Sequence, residues 1–344
     1  MATPESAPPN PSGWPLSPIP MTRATSRLTP TQPWRCAPET PLLTRRIPMP
    51  AFGIANIVVD ATPTVAVLAG EMVYPLRRLV GADAPDAFAG VLADWSAWID
   101  TIAEALAQHP APSGLPAEEV EFGPAGLGRP TIWCAGANFT DHVEELMPQP
   151  PADFAERAFH FLAQPGVLSG HRGVVERPAG VQKFDWEVEL TAVIGRRARR
   201  VSPEDALDYV AGYTVANDLS VRDPGLLRHS IFGVDWTASK NADGSTPVGP
   251  AVVPARFIDD PSNLDLGLTV NGEVRQKSNT AKMIIGLRAQ IAALSASVTL
   301  EPGDLVLTGT PAGTAAAHND AYLVPGDVVV AYVEGLGSLQ TTIA

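Results

Sequence analysis

The sequence predicts an α+β fold that is rich in β-strand, and three observations lead to this prediction. After about residue 128, short runs of β-branched and apolar residues alternate with Gly, Pro, Asp and Asn. Two other segments, residues 83–109 and 280–295, carry apolar residues at helical spacing. The chain has 344 residues, 45% of them hydrophobic and 18% charged, which is ample for a buried core. We therefore expect a β-rich domain preceded by a small α/β accessory domain.

The charge balance and the cysteines narrow the classes of function. The net charge is −13, from 37 acidic and 24 basic residues. Because nucleic-acid binding depends on basic residues that neutralise phosphates, we expect no nucleic-acid partner. No apolar run approaches the ~18 residues that a membrane span requires, so we expect no membrane partner. Cys36 and Cys134 lack the spacing of a zinc site or a disulfide framework, which favours a reducing, cytoplasmic location.

The distribution of proline predicts how the chain is divided. Thirteen of the 35 prolines fall within the first 50 residues, which show no hydrophobic periodicity. Residues 1–49 are predicted to be a disordered, Pro-rich extension without a secretory signal. A start codon assigned too far upstream would also explain them. Residues 50–127 are predicted to form the small N-terminal domain, and residues 128–344 the larger domain.

Strand and helix signals then follow in order along the chain. In the N-terminal domain, residues 54–59 and 64–68 are candidate strands, and residues 83–109 carry apolar side chains at helical spacing. In the larger domain the candidate strands are 131–135, 186–194, 209–215, 304–307 and 327–333. Residues 202–205 have the cap, proline and acids of a helix start. Residues 280–295 carry an apolar stripe that predicts a helix packed on the core.

The segment 185–195 contains the most informative pattern. Along a strand the side chains alternate, so Glu187 and Glu189 would share one face, and Trp186 and Val188 the other. Asp218 ends a second strand-like run about thirty residues later. Three converging carboxylates would form an oxygen site that suits Mg²⁺, Mn²⁺ or Ca²⁺. On the pattern alone, the solvated face of an amphipathic strand is the simpler explanation of the two glutamates.

A second candidate group lies at the predicted start of a helix near residue 141. Asp141 is the expected N-cap, with Glu144 three residues further on. His142 and Glu145 would then lie one turn apart on the same face of the helix. A carboxylate so placed fixes the imidazole tautomer and raises its basicity, which helps it take a proton from water. Without further context, a polar first turn on an exposed helix explains the pattern more simply.

Six segments form an ordered set of motifs. They are Gly136-Ala137-Asn138-Phe139 with His142 and Glu145; 185–195; 210–223; Asn271-Gly272-Glu273 with Gln276, Asn279, Thr280 and Met283; 300–313; and Pro325-Gly326-Asp327 with 334–337. In this order they resemble the fumarylacetoacetate hydrolase family over residues ~130–344. Because six motifs match in sequence order, the resemblance outweighs both of the simpler explanations.

The resemblance implies a fold, an assembly and a metal site. Members of the family fold the catalytic domain, here residues 128–344, as a mixed β-sandwich roll and usually pair as homodimers. The matching metal ligands are Glu187, Glu189 and Asp218, and the expected cofactor is Mg²⁺, with Mn²⁺ or Ca²⁺ as alternatives. His142 and Glu145 match the family's catalytic dyad.

The resemblance also implies residues that contact the substrate. Lys240 lies in a segment similar to a family Gly-Lys-Ser motif and is expected to stabilise negative charge that develops on the substrate. Arg222 matches the family's Arg-Asp pair and is expected to bind substrate. In the loop 308–313, backbone N–H groups, such as that of Gly309, and the Thr310 hydroxyl are expected to hold the substrate carboxylate.

The implied reaction is metal-dependent hydrolysis of a C–C bond in a small acylpyruvate or β-diketo acid, with His142 activating water. Decarboxylation, hydration or isomerisation of a 2-oxo acid at the same site is the alternative. A non-catalytic protein that binds oxo acids is a second alternative. Phe139 stands where the family commonly has tyrosine, and Ala242 where phenylalanine is common. Such departures cluster around the expected substrate pocket and leave the natural substrate open.

Overall fold

The structure is a computed structural model that describes residues 52–108, 114–125, 128–147, 149–150, 154–156, 158–231 and 233–344. The predicted disordered extension, residues 1–49, lies outside the described residues. The described residues belong to one compact unit that runs from Leu43 to Ala344. None of the helices in this part of the chain combines the length and the apolar composition that a membrane span requires.

Strands outnumber helices in the described part of the chain, which contains twenty-one strands and seven α-helices. The strands are β1 Gly53–Val59, β2 Thr62–Ala69, β3 Met72–Pro75, β4 Leu115–Pro116, β5 Glu121–Phe122, β6 Ile132–Ala135, β7 His160–Ala163, β8 Leu168–Ser169, β9 Gly173–Val175, β10 Phe184–Asp185, β11 Val188–Ile194, β12 Val210–Asn217, β13 Ser220–Val221, β14 Arg228–His229, β15 Gly233–Val234, β16 Thr246–Pro254, β17 Asp265–Val270, β18 Glu273–Asn279, β19 Leu305–Leu307, β20 Val328–Val333 and β21 Gly337–Ile343. The helices are α1 Leu76–Val80, α2 Phe88–Ala93, α3 Trp95–Gln108, α4 Thr140–Leu146, α5 Pro224–Leu227, α6 Trp236–Lys240 and α7 Leu287–Ser297.

Two mixed sheets organise these elements. The larger has the order β4-β3-β2-β1-β16-β12-β11-β19-β6-β7, with β5 beside β1 and β8 beside β16. The smaller has the order β18-β17-β20-β21-β9. Most neighbours are antiparallel, whereas β19 with β6, β16 with β8 and β21 with β9 are parallel. The strand-rich α+β class predicted from the sequence is therefore confirmed.

Side chains on both faces of the larger sheet are buried. On one face, Trp186 and Leu190 belong to the same apolar cluster as Leu268 of the smaller sheet. On the other face, Val193 belongs to a second cluster together with Ile102 of α3. Because both faces are covered, every residue of β11 and β12 is buried. Any polar side chain on these two central strands is thus removed from water.

The N-terminal strands extend the larger sheet. β1 lies antiparallel to β16, with Ile54 opposite Val252, and β2 and β3 continue the sheet outward. The predicted strands 54–59 and 64–68 are confirmed as parts of β1 and β2. The five strands predicted in the larger domain are confirmed as β6, β11, β12, β19 and β20. The domain boundary proposed between residues 127 and 128 stays a prediction.

Three predicted helices differ from those observed, and local residues explain two of the differences. Residues 83–87 are not helical, since Pro85 disfavours helical geometry at Ala84 before it, and the helical region instead comprises α2 and α3. The helix predicted at 280–295 begins at Leu287, after a 3₁₀ turn in which the Asn279 side chain accepts from the Ala281 N–H. Residues 202–205 form a turn before the 3₁₀ helix Ala206–Tyr209, rather than an α-helix.

The half-buried His171 side chain gives the fold a specific sensitivity to acid. Its Nδ1 accepts from the Gln340 N–H (3.1 Å), and its ring meets Phe122 edge-on at 5.1 Å between centroids. Burial, aided by nearby Arg172, lowers the pKa of His171 to about 4. The unfolded chain takes up this proton near pH ~6.5, whereas the folded chain does so only near 4. The contribution to stability is therefore present above pH ~6.5 and is lost as the pH falls toward 4.

We predict that His171→Asn weakens this acid sensitivity. In the wild type the group should lower the free energy of unfolding by about 2 kcal/mol between pH 7 and pH 5. Urea denaturation at the two pH values measures the difference, and the variant should lose most of it. His229→Asn, at an exposed position in β14, is the matched control. An equal pH dependence in the wild type and His171→Asn would contradict the prediction.

Candidate active site

Three carboxylates converge at the ends of β11 and β12. Glu187 directly precedes β11, Glu189 is its second residue, and Asp218 directly follows β12. The two strands are antiparallel, and the Asp218 N–H donates to the Glu187 carbonyl (2.9 Å), which joins the ends. The three side chains are at most 6% exposed, and each offers an oxygen within 4.8 Å of the others. The solvated-face explanation of the two glutamates is therefore wrong.

Two cations and a fourth carboxylate complete this cluster. Lys240 Nζ, at the end of α6, donates to Glu187 Oε2 (2.6 Å) and Asp218 Oδ2 (2.7 Å). Arg222 donates from Nη2 to Glu187 Oε1 and from Nε to Asp185 Oδ2 (3.2 Å). The Asp185 carboxylate also accepts from the Trp186 and Ala315 N–H groups. The structure thus brings the sequence-predicted Lys240 and Arg222 into direct contact with the predicted metal ligands.

The charges of the cluster leave a deficit that a divalent cation would fill. Asp185, Glu187, Glu189 and Asp218 are buried carboxylates, and Lys240 and Arg222 supply two positive charges. With all four carboxylates ionised, two negative charges would be without a cation in a region removed from water, where uncompensated charge is costly. Hard carboxylate oxygens are the ligands that Mg²⁺, Mn²⁺ and Ca²⁺ prefer. The donor set of Glu187, Glu189 and Asp218 therefore fits a divalent ion of this kind.

The pKa values of the carboxylates reflect the uneven distribution of the cations. Burial opposes the charge of Glu187, but Lys240 and Arg222 outweigh it and lower the pKa of Glu187 to about 2. Burial, with the neighbouring Asp218 and Glu187, raises the pKa of Glu189 well above its usual range. Burial also raises the pKa of Asp218, despite the opposing effect of Lys240. Glu189 is thus a carboxylate whose ionisation a bound cation would favour strongly.

The predicted dyad is assembled on α4. His142 Nδ1 lies 3.2 Å from Glu145 Oε2, and the Gly313 N–H donates to the Glu145 carboxylate at 3.2 Å and 3.3 Å. His142 is only 5% exposed, and it lies close enough to Glu187 for the two side chains to interact electrostatically. The pair is therefore oriented by the loop 308–313 and lies beside the carboxylate cluster.

Asp141 has a different role from the predicted helix cap. Phe139 is the N-cap residue of α4, and no side chain caps the helix. The Asp141 carboxylate instead accepts from Ser278 Oγ (2.7 Å), Lys282 Nζ (3.0 Å) and the Ala312 N–H (3.2 Å). These bonds outweigh its partial burial and lower the pKa of Asp141. The capping prediction was wrong because the partners of Asp141 are distant in sequence.

The loop 308–313 uses its donors within the protein. The Gly309 N–H donates to Glu189 Oε2 (2.7 Å), which fixes that carboxylate. The Thr310 hydroxyl donates to the Val188 carbonyl (2.9 Å) and accepts from Gln276 Nε2 (2.9 Å). Both groups therefore position the carboxylate strand in this structure. The substrate contact expected of Gly309 and Thr310 stays a prediction, and it requires that these bonds rearrange.

Sequence reasoning assigned no role to two residues that hold the site together. The Asn138 side chain donates to the Thr308 and Ile285 carbonyls (2.8 Å and 3.0 Å) and accepts from the Ile285 N–H (2.9 Å), which joins three segments. Gln276 accepts from the Val188 N–H (2.9 Å) in addition to its bond to Thr310. Both residues stand within the quoted motifs. Their position within the motifs was the indication of a role, but it did not identify hydrogen-bond partners that are distant in the sequence.

Comparison with known proteins identifies relatives of this site. The family model for the C-terminal part of fumarylacetoacetate (FAA) hydrolase matches residues 131–344. The chain is 42% identical over 213 residues to the 4-hydroxyphenylacetate degradation bifunctional isomerase/decarboxylase of Escherichia coli, covering 62% of this chain and 46% of that protein. The chain thus spans about half the length of that relative.

Two further matches come from a relative and a solved structure. Oxaloacetate tautomerase FAHD2A, mitochondrial, of Bos taurus is 39% identical over 228 residues, covering 65% of this chain and 69% of that protein. The crystal structure of maleylpyruvate hydrolase from Sphingobium sp. SYK-6, in complex with manganese(II) ion and pyruvate, is 27% identical with a TM-score of 0.67. It covers 85% of this chain and 98% of that chain.

We predict that Glu189→Gln stabilises the metal-free protein. The substitution removes a buried carboxyl group whose ionisation is opposed by burial and by the neighbouring carboxylates, while the amide oxygen can still accept the Gly309 N–H. In EDTA at pH 7, Tm should rise by about 2–4 °C for each kcal/mol gained. The increase in Tm that Mn²⁺ gives the wild type should disappear. Differential scanning fluorimetry measures both effects, and Glu121→Gln, at an exposed position in β5, is the control. A lower Tm in EDTA, or a retained Mn²⁺ effect, would refute the charge-deficit argument.

We predict the opposite effect for Lys240→Met. The variant leaves Glu187 and Asp218 without their shared cation, and breaking a buried pair of this kind costs ~3–5 kcal/mol. Tm in EDTA should therefore fall, and Mn²⁺ should raise it by more than in the wild type. Lys277→Met, at an exposed position in β18, is the matched control. A variant that is unfolded in EDTA can be refolded with increasing Mn²⁺, and refolding that does not depend on Mn²⁺ would contradict the prediction.

Proposed function

The chain belongs to the fumarylacetoacetate hydrolase family, and from this premise we propose that it is a metal-dependent hydrolase. Its proposed substrate is a small acylpyruvate or related β-diketo acid, cleaved at a C–C bond. The observation that carries the proposal is the group of three buried carboxylates beside a hydrogen-bonded His–Glu pair. A scaffold or a simple binding protein gains nothing from such a cluster, whose burial is costly without a cation.

The proposed metal ligands are Glu187, Glu189 and Asp218, and Mg²⁺ is the proposed ion. The solved maleylpyruvate hydrolase, in complex with manganese(II), supports a divalent ion of this type. When bound, such an ion polarises carbonyl oxygens and stabilises negative charge on the substrate. Gly309, through its N–H to Glu189, and Arg222, through Glu187, orient two of the three ligands. This arrangement fixes the ligands before the ion binds.

His142 is the proposed general base. Glu145 accepts from Nδ1–H and so leaves the other ring nitrogen to take a proton from water. The oxygen of that water adds to the distal carbonyl carbon, and the C–C bond between this carbonyl carbon and the CH₂ carbon breaks. The bonding electrons pass to the departing pyruvate unit, which takes up a proton at carbon. The products are a carboxylic acid and pyruvate, so the atoms of water are accounted for.

Lys240 and Arg222 are proposed to stabilise the negative charge at the oxo-acid end of the substrate. The paired carboxylates outweigh burial and raise the pKa of Lys240, so it is a permanent cation beside the ligands. Its position suits the stabilisation of negative charge that develops on the pyruvate unit. Arg222 has 29% of its side chain exposed, which leaves access for a substrate carboxylate. The roles proposed from the sequence are compatible with this geometry.

Tautomerisation or decarboxylation of a 2-oxo acid is the second candidate function. The relatives at 42% and 39% identity are an isomerase/decarboxylase and an oxaloacetate tautomerase, whereas the hydrolase structure is 27% identical. These reactions move a proton or release CO₂ without addition of water. They would use the same three carboxylates but depend differently on His142. The homodimeric assembly and the cytoplasmic location stay predictions.

We predict metal-dependent cleavage of acylpyruvates. Purified protein, stripped of metal and supplied with Mg²⁺ or Mn²⁺, should convert acetylpyruvate to acetate and pyruvate, measured by mass spectrometry. His142→Ala should reduce kcat by about 10²–10⁴-fold, which is typical for loss of a general base. Glu187→Ala should lose both metal binding and activity.

Oxaloacetate, followed as enol–keto exchange and as CO₂ release, separates the two candidate functions. Turnover of oxaloacetate without cleavage of any acylpyruvate would replace the hydrolase proposal by the second candidate. His318→Ala is the control variant, since the ring of His318 bonds the Arg275 carbonyl rather than the carboxylate cluster.

A further inference from the structure

An apolar pocket of about 480 Å³ is lined in part by residues 136–138 and by Trp236 of α6, the helix that ends at Lys240. This volume falls within the ~300–1,000 Å³ range of sites for small organic molecules. Its side-chain lining consists mainly of Phe154, Phe159, Trp236, Ile284 and Ile285. Phe159 is 48% and Trp236 37% exposed, although large aromatic side chains are stabilised by burial. These rings therefore present a surface that an apolar ligand group would cover.

Two chain segments join this pocket to the proposed site. Trp236 and Lys240 lie four residues apart on α6, so their side chains point to the same side of the helix. The ring of Trp236 stacks on Phe161 at 4.9 Å, and Lys240 Nζ lies 5.9 Å from the Phe161 centroid. The pocket is therefore separated from Lys240 by a single aromatic side chain.

The second segment is the turn 136–138, which lines the pocket and leads into α4, the helix of His142. Asn138 in this turn is bonded to the Thr308 carbonyl, next to the Gly309 N–H that holds Glu189. The carboxylates would take the oxo-acid end of a substrate, and His142 would face the carbonyl that water attacks. The substituent on that carbonyl then extends past His142 toward the turn and the pocket.

From this placement we infer that the enzyme selects acylpyruvates whose acyl group is apolar or aromatic and without a second carboxylate. The inference rests on the proposed function and adds the substrate class. Among the described residues that line the pocket, Glu156 is the single charged side chain, and it is acidic. A terminal carboxylate would meet apolar rings and this like charge, and the described lining residues include no basic side chain to neutralise it. A phenyl group would instead stack on Trp236 or Phe159.

Three substrates that share the pyruvate unit test this inference with the Mn²⁺-loaded protein. Benzoylpyruvate has an apolar aromatic acyl group, fumarylpyruvate a terminal carboxylate, and acetylpyruvate only a methyl group. The value of kcat/KM should be at least tenfold higher for benzoylpyruvate than for fumarylpyruvate, a difference of about 1.4 kcal/mol. It should also be higher than for acetylpyruvate. An equal or higher value for fumarylpyruvate would overturn the inference.

Pocket variants make the test specific. Phe159→Ala should reduce the ratio of the benzoylpyruvate to the fumarylpyruvate value at least fivefold, whereas Leu226→Ala, an exposed apolar residue outside the pocket lining, should keep it. Glu156→Lys should raise kcat/KM for fumarylpyruvate. Arg157 follows Glu156 and lies outside the described residues. A preference for fumarylpyruvate that disappears in Arg157→Ala would refute the inference and assign a carboxylate site instead.

Binding data separate failure of the inference from failure of the proposed function. If none of the three compounds is cleaved, the hydrolase proposal fails, and calorimetry of the same compounds with the Mn²⁺-loaded protein still reports on the pocket. Tighter binding of benzoylpyruvate than of fumarylpyruvate, lost in Phe159→Ala, would support the inference alone. Weaker binding of benzoylpyruvate would overturn it.

Discussion

The burial of four carboxylates against two cations is the constraint on which the site depends. Charges removed from water are tolerated only with close partners, and each partner here is supplied by a distant segment. Arg222 follows β13, and Lys240 ends α6, so these segments are tied to the strand that carries Glu187. We expect a bound divalent ion to compensate the remaining negative charge and so to stabilise the fold. The same charge distribution is therefore expected to determine both the stability of the metal-free protein and its affinity for a divalent ion.

The burial of both faces of the larger sheet explains how the carboxylate cluster can form inside the protein. Alternation along β11 sends Trp186 and Val188 into the core between the sheets and Glu189 to the opposite face. In a sheet with one face in water, that glutamate would be solvated and its pKa would be ordinary. Here helices and flanking segments cover the second face as well, so the same alternation produces a buried carboxylate with a strongly raised pKa. The fold thus converts a common strand pattern into a buried carboxylate cluster that fits a divalent ion.

The sequence predicts local features of this protein better than long-range ones. Strand positions and the shared face of Glu187 and Glu189 follow from periodicity, and the His142–Glu145 contact follows from helix geometry. Partner choice does not follow, because a carboxylate such as Asp141 can cap its own helix or bond residues 137 and 171 positions away. Phe139 shows the same limit. Its motif position suggests a place beside the base, yet its ring is fully buried in the core.

The carboxylate cluster and the apolar pocket are held in place by different kinds of interaction. We therefore expect them to contribute differently to catalysis and to substrate selectivity. Glu187, Glu189 and Asp218 are set by strand register, buried ion pairs and backbone donors, so their positions tolerate little change. The pocket is lined by partly exposed side chains such as Phe159 and Trp236, whose rings contact each other at 5.3 Å between centroids. Substitutions there alter shape and polarity without disturbing the charge balance. The proposed selectivity therefore depends on residues such as Phe159 and Trp236, which lie outside the six motifs that resemble the family.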